Sequence, residues 1–220
     1  MIKFIKKNKI LWILLSYILR INYTFFWKYR RLNSKKLEDS FKIYLEDEIL
    51  IKFFEQKSNN KLKIVELGCG YGLRLFNLQK TKRNFELIGY DINKKYLNFA
   101  QNYSREKNIN IKFLQSKIED IVVEEDIDYL ISSFTLIYVK KNNLINFFLK
   151  NKEKIKKGFI FIEYHSEDKS RNLSYYVHNY KEIFEDCLPK FKIEYEKINN
   201  KRWIKSDHEA YKIQGYINED

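Results

Sequence analysis

Two patterns of apolar residues follow one another along the chain and predict its helices and strands. Residues 38–55 carry apolar side chains at helical spacing, which predicts an amphipathic helix that covers one face of a sheet. The apolar positions of this helix are Phe41, Tyr44, Leu45, Ile49 and Phe53. A polar linker, 56–61, then leads into an apolar run of strand length at 62–67.

From residue 62 onward, strand patterns alternate with helical patterns. Strands are predicted at 62–67, 86–90, 111–114, 127–133 and 159–164. Helices are predicted at 73–80, after an N-cap at Asn93, and at 144–155. Alternation with short loops is typical of a parallel sheet covered by helices on both faces, so the chain is predicted to be an α/β protein.

The first 36 residues differ from the rest of the chain in charge. The net charge is +13, and ten basic residues precede the first acid, Glu38. Residues 37–220 hold 32 basic residues against 29 acidic ones, so most of the excess positive charge lies at the N-terminus. We therefore divide the chain into a basic, apolar N-terminal helical segment, 1–36, and a main domain, 37–220.

The N-terminal segment contains an apolar stretch, 10–27, in which Ser16, Arg20 and Thr24 recur every four residues. Arg20 would lie inside a membrane-spanning helix, and the basic flanks on both sides give no orientation signal. A peripheral helix on an anionic membrane fits the pattern, with Trp12, Trp27 and two phenylalanines entering the headgroup region. The alternative is a helix that packs on the main domain or covers its active site.

The positions of the cysteines and histidines argue against a disulfide-rich protein and against a metal site. Cys69 and Cys187 form no disulfide framework, and His165, His178 and His208 lack the spacing of metal ligands on a helix. We therefore expect a protein of the reducing cytoplasm, at the inner face of the membrane if the N-terminal segment binds lipid, with no metal site.

A glycine-rich turn follows the first strand. Gly68, Gly70 and Gly72 occupy every second position, which favours a tight turn where a ligand approaches the backbone. The dinucleotide fingerprint would need glycine at position 73, where the chain has Leu73. Asp91 ends the second strand, where a carboxylate can accept hydrogen bonds from the two hydroxyls of a ribose.

These motifs resemble those of class I S-adenosylmethionine (SAM)-dependent methyltransferases of the small-molecule type, and the resemblance spans residues 62–164. The run from Glu66 to Gly72 resembles the first motif of that family, and the run around Asp91 resembles the second. The resemblance implies a Rossmann-like, seven-stranded, mostly parallel sheet that ends in an antiparallel hairpin, predicted at 191–198 and 209–217. It also implies SAM as cofactor, held by Glu66, Gly68, Cys69, Gly70, Gly72, Asp91, Ile92, Ser116, Ile118, Ser132 and Ser133.

One position departs from the family pattern. Many members carry an acidic residue after the third strand that holds the adenine amino group, and this chain has Lys117 there. A lysine cannot accept that hydrogen bond. Gln115, Ser116, Glu119 or backbone groups are the alternatives.

The acceptor side is less defined by the sequence. A hydroxyl acceptor benefits from a base within hydrogen-bond reach, and His165 is predicted as that base, with Glu163 as its partner. Tyr138 and Tyr176 are predicted in the acceptor pocket. For each of these residues, a packing role in the core is the alternative interpretation.

The predicted reaction is methyl transfer from SAM to a hydroxyl, or an amine, of a small molecule or glycan. A lipid-linked or surface-polysaccharide precursor fits if the N-terminal segment binds membrane. The run Ser132-Ser133-Phe134-Thr135 lacks the signature of enzymes that methylate amines of nucleic-acid bases, which disfavours a nucleic-acid partner. The alternatives are an RNA methyltransferase with a basic N-terminal arm and a scaffold that binds the cofactor without turnover.

Overall fold

The structure, a computed structural model, describes residues 27–28, 43–57, 60–81, 83–168, 175–198 and 208–217. The strands within these residues are β1 (Leu62–Leu67), β2 (Phe85–Asp91), β3 (Ile111–Gln115), β4 (Ile127–Ser133), β5 (Ile155–Tyr164), β6 (Phe191–Ile198) and β7 (Ala210–Ile217). The α-helices, apart from a helical turn at Trp27 and Lys28, are α1 (Leu45–Glu55), α2 (Leu73–Lys80), α3 (Lys94–Glu106), α4 (Lys141–Asn151) and α5 (Tyr180–Cys187).

The described strands form one seven-stranded sheet in the order β3-β2-β1-β4-β5-β7-β6. Strands β1 to β5 pair in parallel, whereas β7 runs antiparallel to both β5 and β6. The predicted Rossmann-like, mostly parallel sheet with a closing antiparallel hairpin is confirmed.

Helices cover both faces of the sheet because each central strand points apolar side chains to both sides. Along β5, Phe159 and Phe161 pack with α4 and α5 on one face, and Ile160 and Ile162 pack with α1, α2 and α3 on the other. All four side chains are fully buried. The helices therefore hold the sheet rigid beneath its carboxyl edge.

The first helix is shorter than predicted. The expected helix covered 38–55, but α1 begins at Leu45, and the backbone of Tyr44 is extended with ψ at 166°. The carboxylate of Asp47 accepts the N–H of Tyr44 at 2.9 Å and thereby caps the helix start. Residues 38–42 lie outside the described part of the chain.

The boundary between α4 and β5 also differs from the prediction of a helix at 144–155. Asn151 ends α4, because its side chain bonds the carbonyl oxygens of Phe147 and Ile121 and the N–H of Val123. After a short 3-10 turn, Ile155 already pairs with Ile127 as the start of β5. The strand is thus four residues longer at its start than the predicted 159–164.

The register of the parallel strands brings three loops together. Leu67 of β1 is paired with Tyr90 of β2 on one side and with Ser132 of β4 on the other. The residues that follow these positions, Gly68, Asp91 and Ser133, therefore meet at the carboxyl edge of the sheet, where ligands of such folds bind.

Candidate active site

A cavity of about 420 Å³ lies at this carboxyl edge. This volume falls within the roughly 300–1,000 Å³ of small-molecule sites. The glycine turn, the end of β2 and residues 116–119 form one part of its wall. Residues 133–135, Tyr138, Val139 and Trp27 form another part.

The glycine turn adopts a backbone that other residues disfavour. Gly68, Gly70 and Gly72 have φ angles of +69°, +57° and +83°. At Gly68, a Cβ atom would lie 2.1 Å from the Thr135 side chain, so this glycine is required for packing. At Gly70, the nearest atom to such a Cβ is 4.0 Å away, which leaves room for a ligand against the backbone.

Asp91 joins the glycine turn to the start of α3. One carboxylate oxygen accepts the N–H of Gly70 at 2.8 Å, and the other accepts the N–H of Asn93 at 2.7 Å. Burial raises the pKa of Asp91, and the backbone donors offset part of this rise. A carboxylate offers about four lone-pair positions, so Asp91 retains capacity for two ribose hydroxyls.

Glu66 lies beneath the cavity and does not form part of its wall. Its side chain is fully buried and accepts a hydrogen bond from Arg74 Nε at 2.6 Å. Burial raises the pKa of Glu66, and the charge of Arg74 opposes that rise. Arg74 itself lines the cavity, whereas Glu66, the residue predicted to hold the cofactor, does not.

Arg74 lines the cavity but is not among the predicted site residues, although the sequence carries a signal for it. A positive side chain in the first turn of a helix opposes the helix dipole and needs a reason to be there. Glu66, at the end of the preceding strand, supplies that reason.

Several predicted cofactor residues do line the cavity: Gly68, Cys69, Gly70, Asp91, Ile92, Ser116, Ile118 and Ser133. Gly72 instead forms the N-cap of α2. Burial raises the pKa of the Cys69 thiol well above its usual range, which fits a packing role. Lys117 and Glu119 also line the cavity next to Ser116, so the departure at Lys117 lies within the site.

The two serines at the end of β4 have different surroundings. Ser132 Oγ donates to Glu163 Oε1 at 2.9 Å and does not line the cavity. Ser133 lines the cavity, and its Oγ is buried without a hydrogen-bond partner among the described residues. A buried hydroxyl of this kind is available to a bound ligand.

We predict different effects for the two serine-to-alanine variants. Ser133→Ala is expected to leave stability unchanged and to weaken SAM binding about two- to tenfold, because one hydrogen bond to the ligand is lost. Ser132→Ala, the matched control, is expected to lower the free energy of unfolding by about 1 kcal/mol. Calorimetry and thermal unfolding measure the two effects, and unchanged SAM affinity in Ser133→Ala would contradict the assignment.

Glu163 is buried behind the loop that follows β4. Its Oε1 accepts hydrogen bonds from Ser132 Oγ and from the backbone N–H groups of Thr135 and Leu136, at 2.9 to 3.1 Å. Burial raises the pKa of Glu163 to about 7, although these donors act in the opposite direction. Phe134, at the start of this loop, has a φ of +48°, which is rare for a non-glycine residue.

The position of Glu163 corrects its predicted role as the partner of a catalytic base. The side chain is fully buried and does not line the cavity. It fixes the backbone of a loop that does line the cavity, and we therefore treat Glu163 as a positioning residue.

The structure also places His165 away from the cavity wall. Its ring is 5% exposed and lies between Tyr195 and Tyr211, with centroid distances of 5.2 and 5.1 Å. Nδ1 accepts the backbone N–H of Tyr180 at 3.2 Å, and burial lowers the pKa of the imidazole. This geometry does not support the predicted role as a base and fits the alternative of core packing.

The predicted acceptor residues have different positions. Tyr138 lines the cavity. Tyr176 does not line it; its N–H donates to the Ile137 carbonyl at 2.8 Å, and its ring stacks on His178. Tyr176 thus supports the loop after β4 from behind.

Trp27 lies in the cavity wall, which corrects its predicted place in the membrane headgroup region. Its ring packs on Tyr138, with 5.1 Å between centroids. The other aromatic residues predicted to enter the membrane lie outside the described residues. At Trp27, the structure fits the alternative in which the segment covers the active site.

Among the described residues there is neither a bilayer-spanning helix nor a cluster of metal ligands. No helix there combines the length and apolar character needed to cross a bilayer. No group of three or more His, Cys, Asp or Glu side chains in the same residues could hold a metal ion.

Comparison with known proteins identifies the class. Residues 58–212, more than half of the chain, match the family model described as a methyltransferase domain. The chain therefore belongs to this methyltransferase domain family. The predicted class, a SAM-dependent methyltransferase of the class I fold with SAM as cofactor, is confirmed.

A curated relative and two solved structures show how far the similarity extends. A ubiquinone biosynthesis O-methyltransferase from Rickettsia bellii is 31% identical over 102 residues, which cover 46% of this chain and 41% of that protein. The alignment thus spans about two fifths of the relative's length.

The two structures share the fold at low sequence identity. Magnesium protoporphyrin IX methyltransferase from Synechocystis PCC 6803, with bound SAM, has a TM-score of 0.66 and 11% identity over 91% of this chain and 97% of its own. A SAM-dependent methyltransferase from Aquifex aeolicus has a TM-score of 0.60 and 15% identity over 86% of this chain and 100% of its own.

Proposed function

We propose that this protein transfers a methyl group from SAM to a hydroxyl of a small, lipid-linked molecule at the cytoplasmic face of a membrane. The observation that carries the proposal is that the wall of one cavity has two parts of different chemical character. The glycine turn and Asp91 form a wall suited to the cofactor, and the aromatic loop after β4 forms a wall suited to an apolar acceptor.

The residues of the first wall fit SAM. Gly70 leaves open space against its backbone, and Asp91 has lone pairs left for ribose hydroxyls. Arg74, which also lines the cavity, supplies a positive charge suited to the methionine carboxylate. From the other part of the wall, Ser133 at the end of β4 contributes a hydroxyl without a partner among the described residues. When bound, SAM supplies a methyl group activated by a sulfonium.

The protein's contribution to the reaction is positioning. Thr135 Oγ1 lies 3.2 Å from the Ser133 carbonyl oxygen and 3.5 Å from that of Gly68, and the Thr135 side chain packs closely on Gly68. The loop after β4 is therefore packed against the glycine turn. Glu163 holds the same loop from beneath. Fixed geometry between donor and acceptor can supply most of the rate enhancement in a displacement of this kind.

The acceptor class rests on similarity and on the N-terminal segment. The curated relative's name specifies an O-methyltransferase of ubiquinone biosynthesis, which favours a hydroxyl over an amine for this chain as well. The segment 1–36 carries ten basic residues without an acid, which suits contact with anionic lipid. A lipid-linked acceptor, rather than a free glycan, would share that surface with the enzyme.

Turnover on a panel of acceptors tests this proposal. Release of S-adenosylhomocysteine from SAM is measured with an alkyl-substituted catechol, a lipid-linked saccharide and a nucleotide sugar as acceptors. We expect turnover with a lipid-linked hydroxyl compound and none with the nucleotide sugar. Binding of SAM without turnover on any acceptor would instead favour a scaffold, and the absence of SAM binding would overturn the proposal.

Membrane contact has a separate test. The full-length protein is expected to float with vesicles that contain anionic lipid and to stay behind with neutral vesicles. A variant with Lys3, Lys6, Lys7 and Lys9 changed to glutamine is expected to lose flotation, because each basic residue near the surface contributes about 1 kcal/mol. Flotation that does not depend on vesicle charge would contradict an electrostatic anchor.

A further inference from the structure

Trp27 connects the two walls of the cavity. Its backbone carbonyl accepts a hydrogen bond from Asn93 Nδ2 at 2.8 Å. Its ring packs on Tyr138, with a centroid distance of 5.1 Å and an interplanar angle of 56°. A residue from the N-terminal segment is therefore attached to the β2–α3 loop by its backbone and to the loop after β4 by its side chain.

Asn93 is a well-fixed anchor for this contact. Its backbone N–H donates to Asp91, and its Oδ1 accepts the N–H groups of Lys95 and Tyr96 at 3.0 and 3.3 Å. These bonds cap α3 and fix the orientation of the side chain. The Nδ2 group is thereby directed at the carbonyl of Trp27.

The surface around Trp27 is apolar. Trp27 packs on Tyr138, and Phe134 and Val139 of the same loop also line the cavity. The Thr135 hydroxyl, close by, already bonds the Ser133 carbonyl. A saccharide would bring many hydroxyls that need partners, whereas a flat ring buries apolar area against such a wall.

We propose that Trp27 is a specificity-determining residue for the acceptor, and that the acceptor carries a hydroxylated ring that packs against Trp27 and Tyr138. This inference rests on the proposed methyl transfer and specifies its acceptor. The Trp27 ring packs on Tyr138 of the loop after β4, whereas the groups assigned to SAM belong to the glycine turn, Asp91 and Arg74. Trp27 therefore contributes to acceptor affinity and little to SAM affinity.

Variants of Trp27 test the proposal in the full-length protein. With an alkyl-substituted catechol as the acceptor, Trp27→Ala is expected to raise KM about tenfold, because an aromatic contact is lost. Trp27→Phe is expected to restore most of the affinity. Calorimetry with S-adenosylhomocysteine is expected to give the wild-type affinity, within about twofold, for both variants. Melting temperatures confirm that the variants are folded.

A second variant tests the anchor. Asn93→Ser keeps an oxygen that can cap α3 but removes the amide that donates to Trp27. It is expected to raise the acceptor KM in the same direction as Trp27→Ala, by a smaller factor. Agreement between the two variants would show that the position of Trp27, and not only its presence, determines acceptor affinity.

The experiments distinguish failure of the Trp27 assignment from failure of the proposed function. An unchanged acceptor KM in Trp27→Ala, or an equal loss of cofactor affinity, overturns the role of Trp27. Wild-type enzyme that methylates the lipid-linked saccharide but not the catechol overturns the ring assignment and leaves methyl transfer intact. Wild-type enzyme that methylates neither overturns the proposed function itself.

Discussion

Asp91→Ala is expected to weaken SAM binding by at least about 100-fold, because two hydrogen bonds to a charged acceptor are lost. The change also removes the acceptor of the Gly70 and Asn93 N–H groups, which loosens the glycine turn against α3. Calorimetry of the full-length variant with SAM measures the effect.

Two control variants make the Asp91 result specific. Asp91→Asn keeps one acceptor oxygen and is expected to lie between alanine and the wild type. Glu86→Ala removes a carboxylate of the same strand that pairs with Lys61 on the surface, and it is expected to bind SAM normally. If Asp91→Ala retained wild-type affinity, the assignment of this wall to the cofactor would be wrong.

Glu163→Gln is expected to flatten the dependence of stability on pH. The folded-state pKa of Glu163 is raised from 4.5 to about 7, so between these values the folded protein holds a proton that the unfolded chain has released. The free energy of unfolding of the wild type therefore falls as the pH rises through this window, by about 3 kcal/mol from this group. Glutamine stays neutral and removes that contribution.

Denaturant unfolding of both proteins at pH 5 and pH 8 measures the effect. Relative to the wild type, the free energy of unfolding of Glu163→Gln is expected to be about 3 kcal/mol higher at pH 8 than at pH 5. The comparison removes contributions common to both proteins, such as that of His178, whose pKa burial lowers to about 4. A constant difference across this range would contradict protonation of Glu163 near neutral pH.

Most of the sheet could be predicted from the sequence because its signals are local. β1, α2, β4 and β6 have the predicted boundaries, since each is a run of apolar residues between clear turn signals. The start of α1 was missed although the contact that caps it, between Asp47 and Tyr44, is local. The end of α4 was missed because a long-range contact sets it. Asn151 stops α4 through bonds to residues 28 and 30 positions earlier, and no local pattern reports such a contact.

The candidate site also contains residues that the sequence can locate and residues that it cannot. The glycine turn and Asp91 are adjacent to strand ends and can be located from spacing alone. His165 also follows a strand end, but β5 pairs with β7, and the aromatic side chains Tyr195 and Tyr211 of the hairpin enclose its ring. The placement of Trp27 depends on Asn93, 66 positions along the chain, which no periodicity indicates.

The contact between Trp27 and Asn93 also bears on how the protein should be shortened for experiments. The change in charge suggests that the folded domain begins near residue 37, yet a chain that starts there would lack Trp27 and with it the part of the cavity wall proposed to contact the acceptor. Such a fragment could fold and bind the methyl donor while failing as a catalyst. Its inactivity would then be mistaken for evidence of a pseudoenzyme or of the wrong substrate. Screening for the natural acceptor therefore requires protein that retains Trp27.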